Sequence, residues 1–354
     1  MRPQKVYNFD TPFLFGSIVV DSTTLGNPLG GTRMMEYPGP REAEEDARRL
    51  ARGMTYKFGE TSLPFGGAKA AICPKTEDKN AVLREYARIL TEFNEGLSRE
   101  RGRYFITGED IGIGVPEVDF LQNHTNPDYL IGSSKGSGDP SPFTAEGVFN
   151  ALKVCCLWKY GVKSPKEKTV LLQGIGKVGS SLLKLLAEEG AKVIAADKNP
   201  KSLERAREKF SGYDNVSFLE PEEADTLFER KADILVPCAI GGTITEEAVR
   251  KTGAKIVCGA ANNQLENLEV ADFMHRNGTI YAPDYIANSA GAIRVGVEVL
   301  SRGRDFNKEL FEIEFNQIPL RVNETLYLSR KEMKNPARVS IERVDRKLSL
   351  LNQL

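Results

Sequence analysis

The sequence predicts an α/β protein of two domains, the second built on a doubly wound parallel sheet. A chain of 354 residues is long enough for two separate cores. A segment rich in Gly, Ser, Asp and Pro, between Gly132 and Pro142, separates two differently patterned parts. From Lys168 onward, short apolar runs alternate with helical segments, as in a parallel sheet covered by helices. We therefore predict domains at 1–135 and 136–329, with 330–354 packing back on the first.

The composition excludes several classes of protein. Forty-eight basic and 49 acidic residues leave a formal charge of -1, which disfavours nucleic acid or an anionic membrane as a partner. No apolar run approaches membrane-spanning length, and the first ten residues lack the apolar core of a signal peptide. Five cysteines without a C-x-x-C pair indicate reduced thiols, so we expect a cytoplasmic protein. Two histidines and no Cys/His cluster give no reason to expect a metal.

In the first domain, apolar and polar residues alternate from Phe13 to Val20 and then meet a glycine turn, which predicts strands around that turn. Helical spacing of apolar residues predicts helices over Arg41–Tyr56 and Leu83–Leu97. A strand is expected to end at Ile72. The run Tyr104–Asp110 is expected to be a strand that leads into a loop with two carboxylates.

The stretch from Gly53 to Ile72 holds two lysines in unusual surroundings. Lys57 falls on the apolar face of the predicted helix, and Lys69 enters the apolar run Ala70–Ile72. A partly desolvated ammonium is less stable in its charged form, which suits a general base. The alternative is that both lysines bury their stems and hold their charged ends in water.

In the second domain, Thr144 is predicted to cap a helix that runs to about Tyr160. The predicted strands are Thr169–Gln173, Lys192–Ala196, Val216–Leu219, Asp233–Val236, Lys255–Cys258 and Thr279–Tyr281.

A dinucleotide-binding fingerprint follows the first of these strands, in the run Gly174-Ile175-Gly176-Lys177-Val178-Gly179. Its glycines allow a tight turn, close approach of a pyrophosphate, and close packing of helix on strand. Asp197, at the end of the next strand, suits ribose hydroxyls and disfavours a 2′-phosphate, so NAD is the predicted cofactor. Lys198 weakens that preference. The alternative is a glycine turn in a fold that binds no nucleotide.

Taken together, the motifs resemble those of the glutamate/leucine/phenylalanine/valine dehydrogenase family, closest to its leucine and phenylalanine branch. The resemblance covers nearly the whole chain. It is carried by the runs Pro28–Met34, Gly53–Ile72, Thr107–Gly112, Gly174–Gly179, Val236–Gly242, Gly259–Leu265 and Tyr281–Tyr285.

The resemblance implies roles for particular residues. Lys57 would bind the substrate α-carboxylate, with help from the backbone N–H groups of Gly30 and Gly31. Lys69 would be the catalytic lysine that activates water at the α-carbon, and Asp110 would handle the protons of the amino nitrogen. The nicotinamide side of the site would be lined by Asn262, which also lies near the substrate amine, and by Thr144, Cys238 and Ala239. The alternative for Asp110 is a turn cap beside Gly112, and Glu109 is assigned a structural role.

The resemblance also bears on the substrate side chain. Leu29 stands where glutamate enzymes of the family have a lysine that binds the distal carboxylate, and burying a carboxylate against leucine is costly. The other side-chain positions, Gly108, Ala292 and Val295, are small or apolar. Leucine enzymes tend to have bulkier residues where Gly108 and Ala292 stand here, so a roomier pocket is expected.

The sequence therefore predicts an NAD-dependent dehydrogenase that interconverts an apolar L-amino acid, branched-chain or aromatic, with its 2-oxo acid and ammonia. The active site is expected in a cleft between an N-terminal substrate domain and a Rossmann domain, in a homo-oligomer. Two alternatives stay open: a glutamate dehydrogenase, and a non-catalytic NAD-binding sensor or scaffold of the same fold.

Overall fold

The computed structural model describes residues 4–134, 136 and 138–353. These residues form two compact units. Unit 1 holds the described residues up to Asp139, Ala292–Phe311 and those from Val344 onward, and unit 2 holds Pro140–Gly291 and Glu312–Arg343. Among the described residues, no helix is both long and apolar enough to cross a membrane.

Unit 1 contains a mixed sheet whose central strand, Phe65–Pro74, is rich in glycine and alanine. Its strands are β1 (Lys5–Asp10), β2 (Leu14–Ser22), β3 (Asn27–Leu29), β4 (Thr32–Met34) and β5 (Phe65–Pro74). Strand β5 is antiparallel to β2 and parallel to β3 and β4, and all its residues through Cys73 are buried. Helices α1 (Pro40–Gly59), α2 (Lys79–Arg101) and α3 (Val115–Gln122) complete the segment before the border.

Unit 2 contains the parallel sheet that the sequence predicts. Its strands are β6 (Thr169–Gln173), β7 (Lys192–Ala196), β8 (Val216–Phe218), β9 (Ile234–Pro237), β10 (Ile256–Val257) and β11 (Ile280–Tyr281). All their pairings are parallel, in the order β11-β10-β9-β6-β7-β8. This is the doubly wound order in which the chain reverses direction beside the first strand, so the predicted fold class is confirmed.

The remaining helices are α4 (Ser141–Tyr160), α5 (Lys177–Glu188), α6 (Pro200–Lys209), α7 (Glu246–Thr252), α8 (Leu268–Arg276), α9 (Asp284–Ala287), α10 (Ala290–Leu300), α11 (Lys308–Glu332) and α12 (Pro336–Leu351). The borders of the units fall inside α10, α11 and α12.

The observed units differ from the predicted ranges in three places, of which the smallest is the first border, observed after Asp139. Ala292–Phe311 belong to unit 1, because Gly296 on α10 lies so close to Leu63 and Phe65 that a Cβ there would be 3.0 and 3.2 Å from their side chains. Only the part of the C-terminal segment from Val344 onward belongs to unit 1. There Lys347 donates hydrogen bonds to the carbonyl oxygens of Gly59 and Thr61.

Two predicted local features are wrong. The run Tyr104–Asp110 contains isolated bridges, at Ile106, Thr107 and Asp110, and no strand. At its start, the backbone N–H and C=O of Phe105 are both bonded to the Asn94 side chain, at 2.7 and 3.0 Å. Helix α4 begins at Ser141, so Thr144 lies within it and caps nothing; its hydroxyl donates to the Pro140 carbonyl at 3.1 Å.

Candidate active site

Both lysines singled out in the sequence are buried in unit 1. Lys57 lies near the end of α1 and is 8% exposed, and Lys69 lies in the middle of β5 and is 6% exposed. Neither residue is therefore an ordinary surface lysine. The alternative of an ammonium held in water is wrong for Lys69, whose Nζ pairs with Asp110.

Lys69 and Asp110 form a direct ion pair, Nζ to Oδ2. Asp110 is placed by a tight bridge in which its backbone and that of Ile113 exchange hydrogen bonds, each 3.0 Å long. Its other oxygen, Oδ1, accepts the N–H of Ile111 at 2.6 Å. The turn-capping role and the contact with the lysine therefore coexist in one carboxylate, and the two predicted catalytic side chains lie together.

A second cation, Arg33, approaches the same carboxylate. Its Nη2 lies 3.5 Å from Oδ1 of Asp110, and its Nη1 donates to Asp46 Oδ2 at 3.0 Å. Burial alone would raise the pKa of Asp110, but Lys69 and then Arg33 outweigh it and lower that pKa to about 2. Asp110 is therefore a carboxylate at neutral pH, held between two cations.

Sequence reasoning did not single out Arg33, although it lies in the glycine run that carries the family resemblance. Its outer partner, Asp46, is fixed by the hydroxyl of Tyr37 at 2.8 Å and by Arg49 at 3.1 Å. The side chains of Arg33, Asp46 and Asp110 are only 10%, 12% and 12% exposed. Arg33 thus connects the ion pair to Asp46 on α1.

The paired glycines fit closely against this cluster. A Cβ on Gly31 would lie 3.1 Å from Lys69 Nζ and 2.5 Å from the carbonyl oxygen of Glu109, and one on Gly30 would lie 1.8 Å from that of Ala68. The N–H of Gly30 already donates to Ile106 O at 3.1 Å. The carboxylate-binding role expected of the Gly30 N–H is therefore not supported, whereas that of Gly31 stays a prediction.

The positions expected to surround a substrate side chain are apolar, and one of them corrects an expectation. Leu29 is 1% exposed, and Ala292 and Val295 are half-buried on α10. Gly108 leaves no spare room, because a Cβ there would lie 2.4 Å from the carbonyl oxygen of Ile131 and 3.0 Å from its Cγ2. Ile131, which the sequence did not point to, fills the space that a larger residue at 108 would need.

In unit 2 the fingerprint glycines have the geometry of a phosphate-binding turn. Gly174 has φ +92°, and its N–H donates to Ala196 O at 2.7 Å. Gly179 packs so closely that a Cβ would lie 2.0 Å from Gly174 O. A Cβ on Gly176, at the N-terminus of α5, would meet no atom within 4 Å. The open space at a helix N-terminus suits a pyrophosphate, so the residues present fit a dinucleotide.

Around this turn, Lys177 and Val178 begin α5, and Ile175 donates its N–H to Asp197 Oδ2 at 2.6 Å. Asp197 Oδ1 accepts the N–H of Asn199 at 2.8 Å. Lys198 is exposed and forms an ion pair with Asp225 at 2.8 Å. Asp197 thus stabilises the turn itself, and each of its oxygens retains a second lone pair for a ribose hydroxyl.

Asn262 lies at the carboxyl edge of the sheet, in the loop after β10. Its Oδ1 accepts a hydrogen bond from Asn288 Nδ2 at 3.2 Å, which orients the amide, and Asn288 also donates to Ala260 O at 3.0 Å. The next residue, Asn263, donates its N–H to the buried carboxylate of Asp284. Asn288 and Asp284 are supports that the sequence did not predict.

The other predicted cofactor residues also lie in unit 2. Cys238 follows β9 and donates its N–H to Gln173 O at 2.7 Å, and Ala239 is exposed after it. Burial raises the pKa of the Cys238 thiol to about 12, so it is a neutral thiol. Thr144 lies in the first turn of α4, where its Oγ1 would be 2.7 Å from a Cβ on Gly291. The predicted site residues therefore divide between the units, with Asn262 on the cofactor side.

Two glycine substitutions in the fingerprint are expected to have opposite effects. Gly176→Ala should leave the unfolding temperature within about 2 °C, since the added methyl group meets nothing, but weaken dinucleotide binding roughly tenfold or more by occupying the pyrophosphate space. Gly179→Ala should destabilise the fold by about 1–3 kcal/mol, because its methyl group meets Gly174 O. Calorimetric unfolding measures the stability of each variant, and titration with the reduced dinucleotide measures its affinity for the cofactor. Equal loss of stability in the two variants would contradict this division.

The fold and these residues define a class of protein: a two-unit α/β enzyme with a dinucleotide-binding sheet in one unit and a buried Lys–Asp pair in the other. Comparison with known proteins identifies the family within this class. The profile described as Glutamate/Leucine/Phenylalanine/Valine dehydrogenase matches residues 136–346, and the one described as Glu/Leu/Phe/Val dehydrogenase, dimerisation domain, matches residues 6–127.

Individual relatives agree. The leucine dehydrogenase of Bacillus subtilis is 39% identical over 287 residues, covering 80% of this chain and 74% of that protein. The phenylalanine dehydrogenase of Lysinibacillus sphaericus is 36% identical over 319 residues, covering 86% and 80%. The crystal structure of L-tryptophan dehydrogenase from Nostoc punctiforme superposes with a TM-score of 0.74 at 28% identity, covering 99% of this chain and 97% of that one. The chain belongs to the Glu/Leu/Phe/Val dehydrogenase family.

Proposed function

We propose that this enzyme catalyses the reversible, NAD-dependent oxidative deamination of an apolar L-amino acid to its 2-oxo acid and ammonia. The observation that carries the proposal is the buried Lys69–Asp110 pair beside Gly31, in a chain whose second unit has the turn and sheet of a dinucleotide-binding protein. Bound NAD would supply a hydride acceptor for the α-carbon.

Within this proposal, the residues of unit 1 bind the substrate and transfer protons. Lys57 holds the α-carboxylate with its ammonium. Lys69, paired as an ammonium with Asp110, first passes an Nζ proton to Asp110 Oδ2. The neutral amine then takes a proton from the water that adds to the α-carbon, and it returns that proton in the reverse direction. Asp110 exchanges protons with the amino nitrogen through Oδ2. Because Nζ and Oδ2 are in contact, the two groups can pass a proton directly between them.

The proposal predicts an apolar substrate. Leu29 is fully buried, so a distal carboxylate placed against it would lack a partner. In ammonia-dependent oxidation of NADH, we expect 4-methyl-2-oxopentanoate, phenylpyruvate or indole-3-pyruvate to react with a kcat/KM at least tenfold above that of 2-oxoglutarate. Faster reaction with 2-oxoglutarate would make the enzyme a glutamate dehydrogenase. No reaction with any of these acids would favour an NAD-binding sensor or scaffold.

For the cofactor, we propose NAD in preference to NADP. A 2′-phosphate would lie beside the Asp197 carboxylate, and Lys198 is already paired with Asp225. Comparing kcat/KM for NADH and NADPH with the best 2-oxo acid tests this preference. An equal or higher value for NADPH would contradict the role assigned to Asp197. In Asp225→Ala, which frees Lys198, we expect the ratio to move toward NADPH.

Ile131 is expected to control the size of the substrate side chain. Its carbonyl oxygen and its Cγ2 lie beside Gly108. Ile131→Ala keeps the oxygen but removes the side chain, which should create room for a larger substrate and raise kcat/KM for indole-3-pyruvate relative to 4-methyl-2-oxopentanoate by roughly tenfold. Val295→Ala, on α10, is the matched control, because it also removes a branched side chain from a position predicted to surround the substrate. An unchanged ratio in Ile131→Ala would show that this residue lies away from the substrate.

A further inference from the structure

Helix α11 carries an exposed apolar stripe in its part that belongs to unit 2. Ile313, Leu320 and Tyr327 recur every seven residues and are 53%, 57% and 55% exposed. Two exposed asparagines, Asn316 and Asn323, fall between them, so the exposed face repeats at alternating intervals of three and four. This is the heptad spacing of a helix that packs along another helix.

The stripe continues onto the end of α4. Trp158 donates its indole N–H to Asn323 Oδ1 at 2.9 Å, and its neighbour Leu157 is 38% exposed. We call Leu157, Ile313, Leu320 and Tyr327 the α11 face. Exposed apolar surface shared by two helices of a folded protein is typical of a protein interface.

The charges at the two ends of the stripe indicate what covers it. Exposed Glu312 lies at the N-terminal end, and exposed Arg330 and Lys331 lie at the C-terminal end. Two copies of α11 placed side by side in parallel would bring like charges together. Two antiparallel copies, related by a two-fold axis beside residues 321 and 322, would bring Glu312 of each to Lys331 of the other, because both are equally far from that axis.

The same axis sets Ile313 level with Arg330 of the second copy, and Leu320 level with Asn323. The apolar side chains of the two copies therefore alternate along the contact, and the two Leu320 residues lie on either side of the axis. At 1.5 Å per residue, the apolar part from Ile313 to Tyr327 is about 21 Å long, which is enough for a helix-to-helix contact. A surface that is complementary to itself about a two-fold axis is what an isologous dimer requires.

We propose that the α11 face binds the α11 face of a second copy of this chain, in antiparallel orientation. This contact lies outside residues 6–127, which match the family's dimerisation domain, so it would add a second interface to the assembly. The proposal does not depend on the proposed function.

The first test compares one apolar-to-charged change inside the stripe with the same change outside it. Leu320→Lys is expected to weaken this self-association by roughly a hundredfold, because it places two lysines at the centre of the interface. Leu350→Lys alters another exposed leucine, 58% exposed on α12, and should leave the α11 contact unchanged. Sedimentation velocity of the full chain across concentrations gives both values. If Leu320→Lys associates as the unaltered chain does, the proposal is overturned.

The second test exchanges the charges. Glu312→Lys alone, or Arg330→Glu with Lys331→Glu, should each weaken association by roughly tenfold, and all three changes together should restore it. Failure of the combined variant to recover would overturn the antiparallel pairing. Trp158 is the only tryptophan of the chain, so its emission should shift as the contact dissociates on dilution. Binding of phosphatidylglycerol vesicles through this face, without self-association, would also overturn the proposal.

Discussion

Lys69→Ala is expected to lower kcat by about a thousandfold or more while leaving dinucleotide binding within about twofold of normal. The first effect follows because a positioned acid–base group contributes roughly 10²–10⁴ in rate, and Lys69 is the group proposed to move the proton at the α-carbon. The second follows because the fingerprint turn belongs to unit 2, whereas Lys69 belongs to unit 1. Steady-state kinetics and calorimetric titration with NADH measure the two quantities.

Two companion variants separate charge from proton transfer. Lys69→Arg restores a cation beside Asp110 but cannot act as a base near neutral pH, so kcat should stay low although the fold regains stability. Lys57→Ala removes the other buried lysine and should raise KM much more than it lowers kcat, since its proposed role is to bind the carboxylate. Near-normal kcat in Lys69→Ala would disprove the proposed mechanism.

Arg33→Gln is expected to destabilise the enzyme by about 2–3 kcal/mol at neutral pH, because Asp110 and Asp46 each lose a charged hydrogen-bond donor although Lys69 and Arg49 remain beside them. It should also raise the pKa of Asp110, because Arg33 is one of the two cations that lower it. Urea unfolding between pH 2 and 7 would show both effects.

The sign of the pH dependence follows from the direction of this shift. The folded-state pKa of Asp110, about 2, lies below its ordinary value of 3.8. Its contribution to stability, roughly 2 kcal/mol, is therefore fully present above about pH 4 and lost as the pH falls through about 2. In Arg33→Gln the loss should begin at higher pH, and so should the loss of kcat/KM on the acid side.

Asp46→Asn is the matched control for this prediction. It removes Asp46 as a partner of Arg33 but leaves the guanidinium beside Asp110. Some stability should therefore be lost, but the pH below which kcat/KM falls should not rise. If both variants raise the pH below which kcat/KM falls by the same amount, Arg33 acts only through packing.

The parallel sheet could be predicted from the sequence because each of its strands is a short apolar run bounded by turn residues. Strands of this kind depend mainly on local composition, and β6 and β7 were predicted to the residue. The run Tyr104–Ile106 has the same composition, yet the Asn94 side chain, eleven residues from Phe105, takes the backbone bonds that a strand would use. Local composition does not show that a side chain from a helix, here Asn94 on α2, will compete for the backbone hydrogen bonds of a strand.

The candidate site was predictable to the extent that its residues lie in short motifs. Lys69, Asp110 and Gly31 were singled out, but their mutual contact depends on how β5 and the loop after Ile106 meet. Arg33 and Ile131 were missed because an arginine after a glycine run and an isoleucine before a glycine are common in any sequence. Ala292–Phe311 were assigned to the second domain because they follow its last strand, and their order in the sequence does not report that Gly296 packs against Leu63 and Phe65.

Unit 1 is completed by residues that are synthesised long after its sheet. Lys347 provides hydrogen-bond donors for the carbonyls of Gly59 and Thr61, and Val344 packs where any Cβ on Gly59 would lie 2.3 Å from its Cγ1. The sheet of unit 1 thus emerges from the ribosome long before the residues that complete it. At about 5–20 residues per second, the end of α1 waits some 15–60 seconds for its partner. A nascent chain of this enzyme must protect that apolar helix end until translation has passed residue 347.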